Sequence, residues 1–178
     1  MENSPSDFLL THLQALKIEY TLHQHAPVFS MEDCLNLPFL EPDMIFPKNL
    51  LLETPTKDRR ILLMMPPEKP FRTSVVSKLV HTSRLSFASP ATMLQMLHTR
   101  PGALSPLGLF CEEAKGIALV LDCDIMTANR LCIHPCDPQQ TVVLSMLDFL
   151  SSLIPSLGCP YTAIKIPWPE EELQSSRR

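Results

Sequence analysis

Glycine is scarce, at 4 of 178 residues against 18 prolines, so each glycine is expected where the backbone cannot do without one. No apolar run reaches the roughly 20 residues that span a bilayer. The opening Met1–Asp7 also lacks the basic and apolar regions of a secretory signal, so a soluble, cytoplasmic protein with no membrane partner is expected. An excess of basic residues is missing too: 15 Lys and Arg against 19 Asp and Glu give a net charge of −4. That balance argues against tracking a long nucleic-acid backbone and leaves contact with a short nucleic-acid end open. The six cysteines (34, 111, 123, 132, 136 and 159) follow no disulfide-framework spacing, which points to reduced thiols. No internal repeat is visible, and the length suits one core.

What the chain does contain is a sequence of short helices and apolar strands. Ser4 or Ser6 can cap a helix carrying Phe8, Leu9, Leu13 and Leu16, followed by a strand over Ile18–Leu22. Ser30 with Asp33 predicts a second capped helix through Leu37. Lys48–Glu53 and Ile61–Met65 flank a Thr54–Asp58 turn and read as a hairpin of buried strands. A loop rich in proline (66–70), a helix from Thr73 or Ser74, a short strand at Leu85–Ala88 and a helix starting at Ser89-Pro90 come next. Strands are expected at 116–122, 130–134 and 141–144, then a helix capped by Ser145 with Asp148, and a last strand at 161–166. The sum is an α+β domain over 1–168, a mixed, mostly antiparallel sheet surrounded by short helices, with a loose tail over 169–178.

Three places can carry chemistry. Lys48, at the head of a strand, offers a compact positive charge to an anionic or carbonyl-bearing ligand, although a strand-edge lysine also simply reaches water. Gly102, in Pro101–Leu109, lets the backbone approach a ligand, although Pro-Gly also ends helices without any function. His134 precedes Pro135 at a strand end, where an imidazole can act on a ligand or shape a pocket. Cys132, His134 and Cys136 alternate, but that spacing is a poor match to zinc sites, so neither metal nor cofactor is expected.

The motifs His25-Ala26-Pro27-Val28-Phe29, Lys48-Asn49-Leu50, Arg84–Ala88, Gly102–Leu109, Leu121-Asp122 and Ile133-His134-Pro135 occur in an order that resembles the YbaK/ProX family of prolyl-tRNA editing proteins. These are free-standing relatives of the editing domain of bacterial prolyl-tRNA synthetase, and the likeness is greatest to Ala-tRNA(Pro) deacylases. The resemblance covers roughly residues 8–166. It implies an aminoacyl-tRNA deacylase, an ester hydrolase that frees a wrongly attached amino acid from mischarged tRNA(Pro). The lysine matching Lys48 is the family's key residue, with Gly102 and His134 beside it. His25, Ala103, Leu104, Ser105, Pro106 and Asp122 are then expected to bind substrate. Prolyl-tRNA synthetase is a second candidate partner. Cys136–Gln140 departs from the family's Asp-Asn-type segment, which leaves serine, cysteine or a non-protein amino acid open beside alanine. A non-catalytic module binding aminoacyl-tRNA or a synthetase is the competing reading. For Lys48, phosphate or ribose binding, carbonyl binding and a base role are all open. Lys57, Arg59, Arg60, Arg72, Lys78 and Arg84 are candidates for contact with the tRNA body.

Overall fold

The computed structural model describes residues 4–171. Helix α1 (Pro5–Ala15) begins with a reciprocal capping box between Ser4 and Asp7, and the left-handed Lys17 (φ 55°) ends its run. Ile18 is therefore a core plug, and strand β1 starts two residues later than its sequence suggests, at Tyr20–Gln24. Helix α2 (Met31–Leu35) carries a second capping box, Ser30 with Asp33. The order continues with β2 (Met44–Ile45), β3 (Lys48–Glu53), β4 (Arg60–Met65), α3 (Thr73–Leu79), β5 (Ser86–Phe87) and α4 (Pro90–Leu97). Ser89 caps α4, whereas α3 has no side-chain cap. Two 3₁₀ turns (Pro106–Phe110 and Glu112–Ala114) lead into β6 (Ile117–Asp122), and a third (Cys123–Thr127) into β7 (Arg130–Ile133) and β8 (Gln140–Ser145). The next segment runs as α5 (Met146–Asp148), a π-helical turn (Phe149–Leu153) and α6 (Ile154–Ser156), and β9 (Tyr161–Ile164) follows.

The strands form two sheets where the sequence suggested one. The four-stranded sheet has the order β1-β8-β7-β2 and the five-stranded sheet the order β5-β3-β4-β6-β9. The β2–β7, β4–β6 and β6–β9 pairs are parallel and the other four are antiparallel. Both sheets obey the period of two. In β4, Leu62 and Met64 face one cluster, while Ile61, Leu63 and Met65 face another with Val76 and Val80 beneath α3. Leu131 and Ile133 of β7 and Val142 and Leu144 of β8 join Leu62 and Met64, so this cluster lies between the sheets. Each such fully buried side chain contributes about 1.5–3 kcal/mol. Cys132 and Val143 face the other way, onto Val28, Cys34 and Phe46 under α2.

Among the described residues no helix is long and apolar enough to cross a membrane. Of the expected loose tail, residues 169–171 are helical, and Glu171 Oε2 accepts the Trp168 backbone N–H at 2.8 Å. The remainder of that tail lies outside the described residues.

Candidate active site

Lys48 owes its place to a corner in the chain. β2 belongs to the four-stranded sheet and β3 to the five-stranded one, with only Phe46-Pro47 between them. Pro47 has no N–H to give a ladder, which suits a strand changing sheets. Lys48 thus emerges at the seam between the sheets. Its ammonium donates to the Lys69 carbonyl at 2.9 Å, leaving two donors for a ligand. Burial lowers its pKa from the ordinary lysine value, and the Glu68 carboxylate opposes that shift.

The Gly102 loop closes one side. Pro101 and Gly102 hold the second and third positions of a four-residue turn in which the Ala103 N–H donates to the Arg100 carbonyl at 3.0 Å. Gly102 sits at φ +93°, the conformation that a type II turn demands of its third residue. The loop is pinned to β3 by Asn49, whose Nδ2 donates to the Leu104 carbonyl at 2.9 Å. That bond fixes the orientation of the amide and leaves the buried Asn49 Oδ1 without a partner among the described residues.

His134, 2% exposed, lies just past β7. Its Nδ1 donates to the Gln140 carbonyl at 2.7 Å, because a carbonyl can only accept. In the neutral ring Nε2 is therefore the acceptor, and it faces the Cys34 thiol at 3.8 Å. Burial lowers the His134 pKa, and nearby His25 adds to the shift while the Gln140 carbonyl and Asp137 oppose it. Burial likewise pushes the Cys34 thiol up to about 11, so it stays a thiol at neutral pH. Lys48, Asn49, Gly102, Leu104, His134 and Cys34 line one cavity of about 220 Å³, and Phe46, Met31 and the 73%-exposed Phe29 are among its other walls. That volume lies below the roughly 300 Å³ where pockets for drug-sized ligands begin, so the cavity suits a small group.

Of the residues named from the sequence, Lys48, Gly102, Leu104 and His134 meet in this cavity. Ala103, Ser105 and Pro106 do not line it; they are buried behind the loop, where the Ala103 carbonyl accepts from Thr99 and Ser105 caps the following 3₁₀ turn. His25 stands outside, its ring 6.1 Å from that of His134, bonded to the Ala26 carbonyl and Thr141 Oγ1. Asp122 is also elsewhere. It is fully buried and its Oδ2 pairs with Lys69 Nζ at 2.7 Å, the lysine of the proline-rich loop 66–70. Cys136 turns its thiol to the Leu97 carbonyl and Cys132 lies under α2, so the two do not gather around His134.

Asn49, Cys34, Phe29 and Met31 went unassigned from the sequence. Asn49 adjoins Lys48 in a named motif, and that adjacency was the available signal. Arg72, Lys78 and Arg84 line one shallow depression with Phe71, beginning two residues after Lys69.

The family model for the aminoacyl-tRNA editing domain matches residues 25–151. The chain is 28% identical over 166 residues to the prolyl-tRNA editing protein ProX of Acetoanaerobium sticklandii, covering 93% of this chain and all of that protein. It is 29% identical over 145 residues to prolyl-tRNA synthetase associated domain-containing protein 1 of Danio rerio, covering 79% of this chain and 77% of that one. A solved structure described as a candidate trans-editing enzyme for prolyl-tRNA synthetase superposes with a TM-score of 0.66 at 14% identity, covering 93% of this chain and 100% of that one. At that identity the likeness concerns the fold.

Proposed function

The chain belongs to the aminoacyl-tRNA editing domain family, and on that footing we propose that it is a trans-editing deacylase that hydrolyses the ester of mischarged tRNA(Pro), with alanine as the amino acid removed. The observation that carries this reading is the convergence of the Lys48 ammonium and the Gly102 loop on one small cavity. Phe46, Met31 and Leu104 give that cavity apolar walls for a methyl side chain; rejection of the bulkier prolyl ring is the size discrimination that this reading requires. The unpartnered Asn49 Oδ1 is an acceptor suited to the α-ammonium of the aminoacyl group. The exposed Phe29 at the rim offers a face on which the terminal adenine can stack.

In the reaction, water attacks the ester carbonyl carbon and negative charge develops on the carbonyl oxygen. The two free donors of Lys48 stabilise that charge in a partly dry site, where such a contact is stronger than in water. The bond from carbon to the ribose oxygen then breaks, the oxygen takes a proton, and alanine and tRNA with a free 3′ end leave. The vicinal ribose hydroxyl of the substrate helps to activate the water. Neutral His134 offers Nε2 as an acceptor on the cavity wall. Arg72, Lys78 and Arg84 contact phosphates of the acceptor stem, and prolyl-tRNA synthetase is the second partner.

The test is a panel of tRNA(Pro) charged with alanine, serine, cysteine or proline, treated with native protein and with Lys48→Ala. Preferential release of alanine, intact Pro-tRNA(Pro) and severe loss in Lys48→Ala are expected. No release from any mischarged tRNA(Pro), at protein well above trace amounts, would replace the enzyme by a binding module.

A further inference from the structure

Lys69 is 0% exposed and its ammonium uses all three donors: to Asp122 Oδ2, Asp124 Oδ2 and the Ile166 carbonyl, each at 2.7 Å. It also lies 4.7 Å from the centre of the Trp168 ring. Trp168 Nε1 donates to Asp124 Oδ2 at 2.8 Å, and Lys165 Nζ to Asp124 Oδ1 at 2.6 Å. One ion cluster, centred on the buried Lys69 and Asp122, therefore joins the end of β6, the following 3₁₀ turn and the segment 165–168. The fourth element it joins is the loop 66–70. Three of that loop's five residues are proline and donate nothing, and the Lys69 N–H makes its single main-chain bond within the loop, to Pro66. The loop is thus held chiefly by the Lys69 side chain. From this same residue the backbone carbonyl accepts from Lys48.

We infer that Lys69 is a positioning residue for Lys48: its buried side chain clamps the 66–70 loop to Asp122, Asp124 and the segment 166–168, and so fixes the carbonyl that orients the Lys48 ammonium. The inference rests on the reading of Lys48 as the group that stabilises charge on the ester. It also gives Asp122 a place two contacts behind the cavity instead of in it.

The experiment compares full-length Lys69→Met and Asp124→Asn, each alone and on a Lys48→Ala background, in single-turnover deacylation of Ala-tRNA(Pro). Because misplacement of a reacting group by about 1 Å can cost about 100-fold, Lys69→Met is expected to lower kcat at least about tenfold and Asp124→Asn about threefold, with KM changed less than about twofold. On the Lys48→Ala background neither lowers the rate further, although each still lowers Tm there. A merely structural lysine would not show that split. If Lys69→Met does not fold, Asp124→Asn, whose side chain is 21% exposed, decides. Native kcat in the folded variants, or equal further losses on Lys48→Ala, would overturn the inference. The ¹H–¹⁵N resonance of the Lys48 ammonium reads the clamp without any turnover: a shift in Asp124→Asn supports it and an unchanged resonance removes it. Native-rate deacylation by Lys48→Ala would instead fail the functional reading, and the resonance would still show whether the clamp exists.

Discussion

Gly102→Ala separates the backbone requirement of the loop from its packing. An added Cβ would lie 3.6 Å from Phe29 Cα and 3.7 Å from the Val28 carbonyl oxygen, ordinary contact distances, so no clash contributes. The cost comes from φ +93°, which an L-residue adopts only with strain of about 1–3 kcal/mol. Gly158 provides the control. It too has positive φ (+63°), with nothing within 4 Å of the added Cβ, and it lies between α6 and β9 outside the cavity. Both variants are therefore expected to lose about 2–12 °C of Tm, since 1 kcal/mol shifts a chain of this size by about 2–4 °C. Their activities should differ. At Gly102 the chain can relieve strain by letting the turn leave its productive shape, and about 1.4 kcal/mol of strain cuts the competent fraction about tenfold. Single-turnover deacylation of Ala-tRNA(Pro), with Tm by differential scanning calorimetry, should show a loss approaching that factor for Gly102→Ala and native rates for Gly158→Ala. Equal deacylation by both variants at equal loss of Tm would refute the argument that the loop's backbone serves the cavity.

Two other outcomes are expected. His134 has its pKa lowered by burial, so between its ordinary value near 6.5 and its folded value the unfolded chain binds more protons; stability should fall as pH drops below about 6.5, and the fall should be smaller in His134→Gln, read from Tm between pH 7.5 and 5. Deacylation at limiting protein should weaken steeply with added salt, and replacing exposed Arg84 by Gln should reduce the log–log slope by about 0.7–0.9 if it meets one phosphate; an unchanged slope removes Arg84 from the tRNA contact.

Much of the local structure was legible in the sequence because it is set by neighbours a few residues apart. The capping boxes Ser4 with Asp7 and Ser30 with Asp33, the Ser89-Pro90 helix start and the 48–65 hairpin all form as their residues suggest. The split into two sheets was not legible, since the corner at Phe46-Pro47 depends on where β7 and β4 already lie. Nor was the burial of Lys69, because Pro-Pro-Glu-Lys-Pro carries every mark of a surface loop. Its partners are 53, 55 and 97 residues away, beyond the reach of any pattern along the chain.

The sequence by itself determined the helix starts, the hairpin, the glycine-dependent turn and, through the order of its motifs, the family. Tertiary structure decided which of the named residues share a cavity. It brought Lys48, Gly102 and His134 together and sent Asp122 into the buried cluster behind them. The physical reason is that local hydrogen bonding and periodicity set the elements, whereas the dry surroundings and the fixed carbonyl that make one lysine chemically distinctive arise only where segments distant in the chain pack against each other.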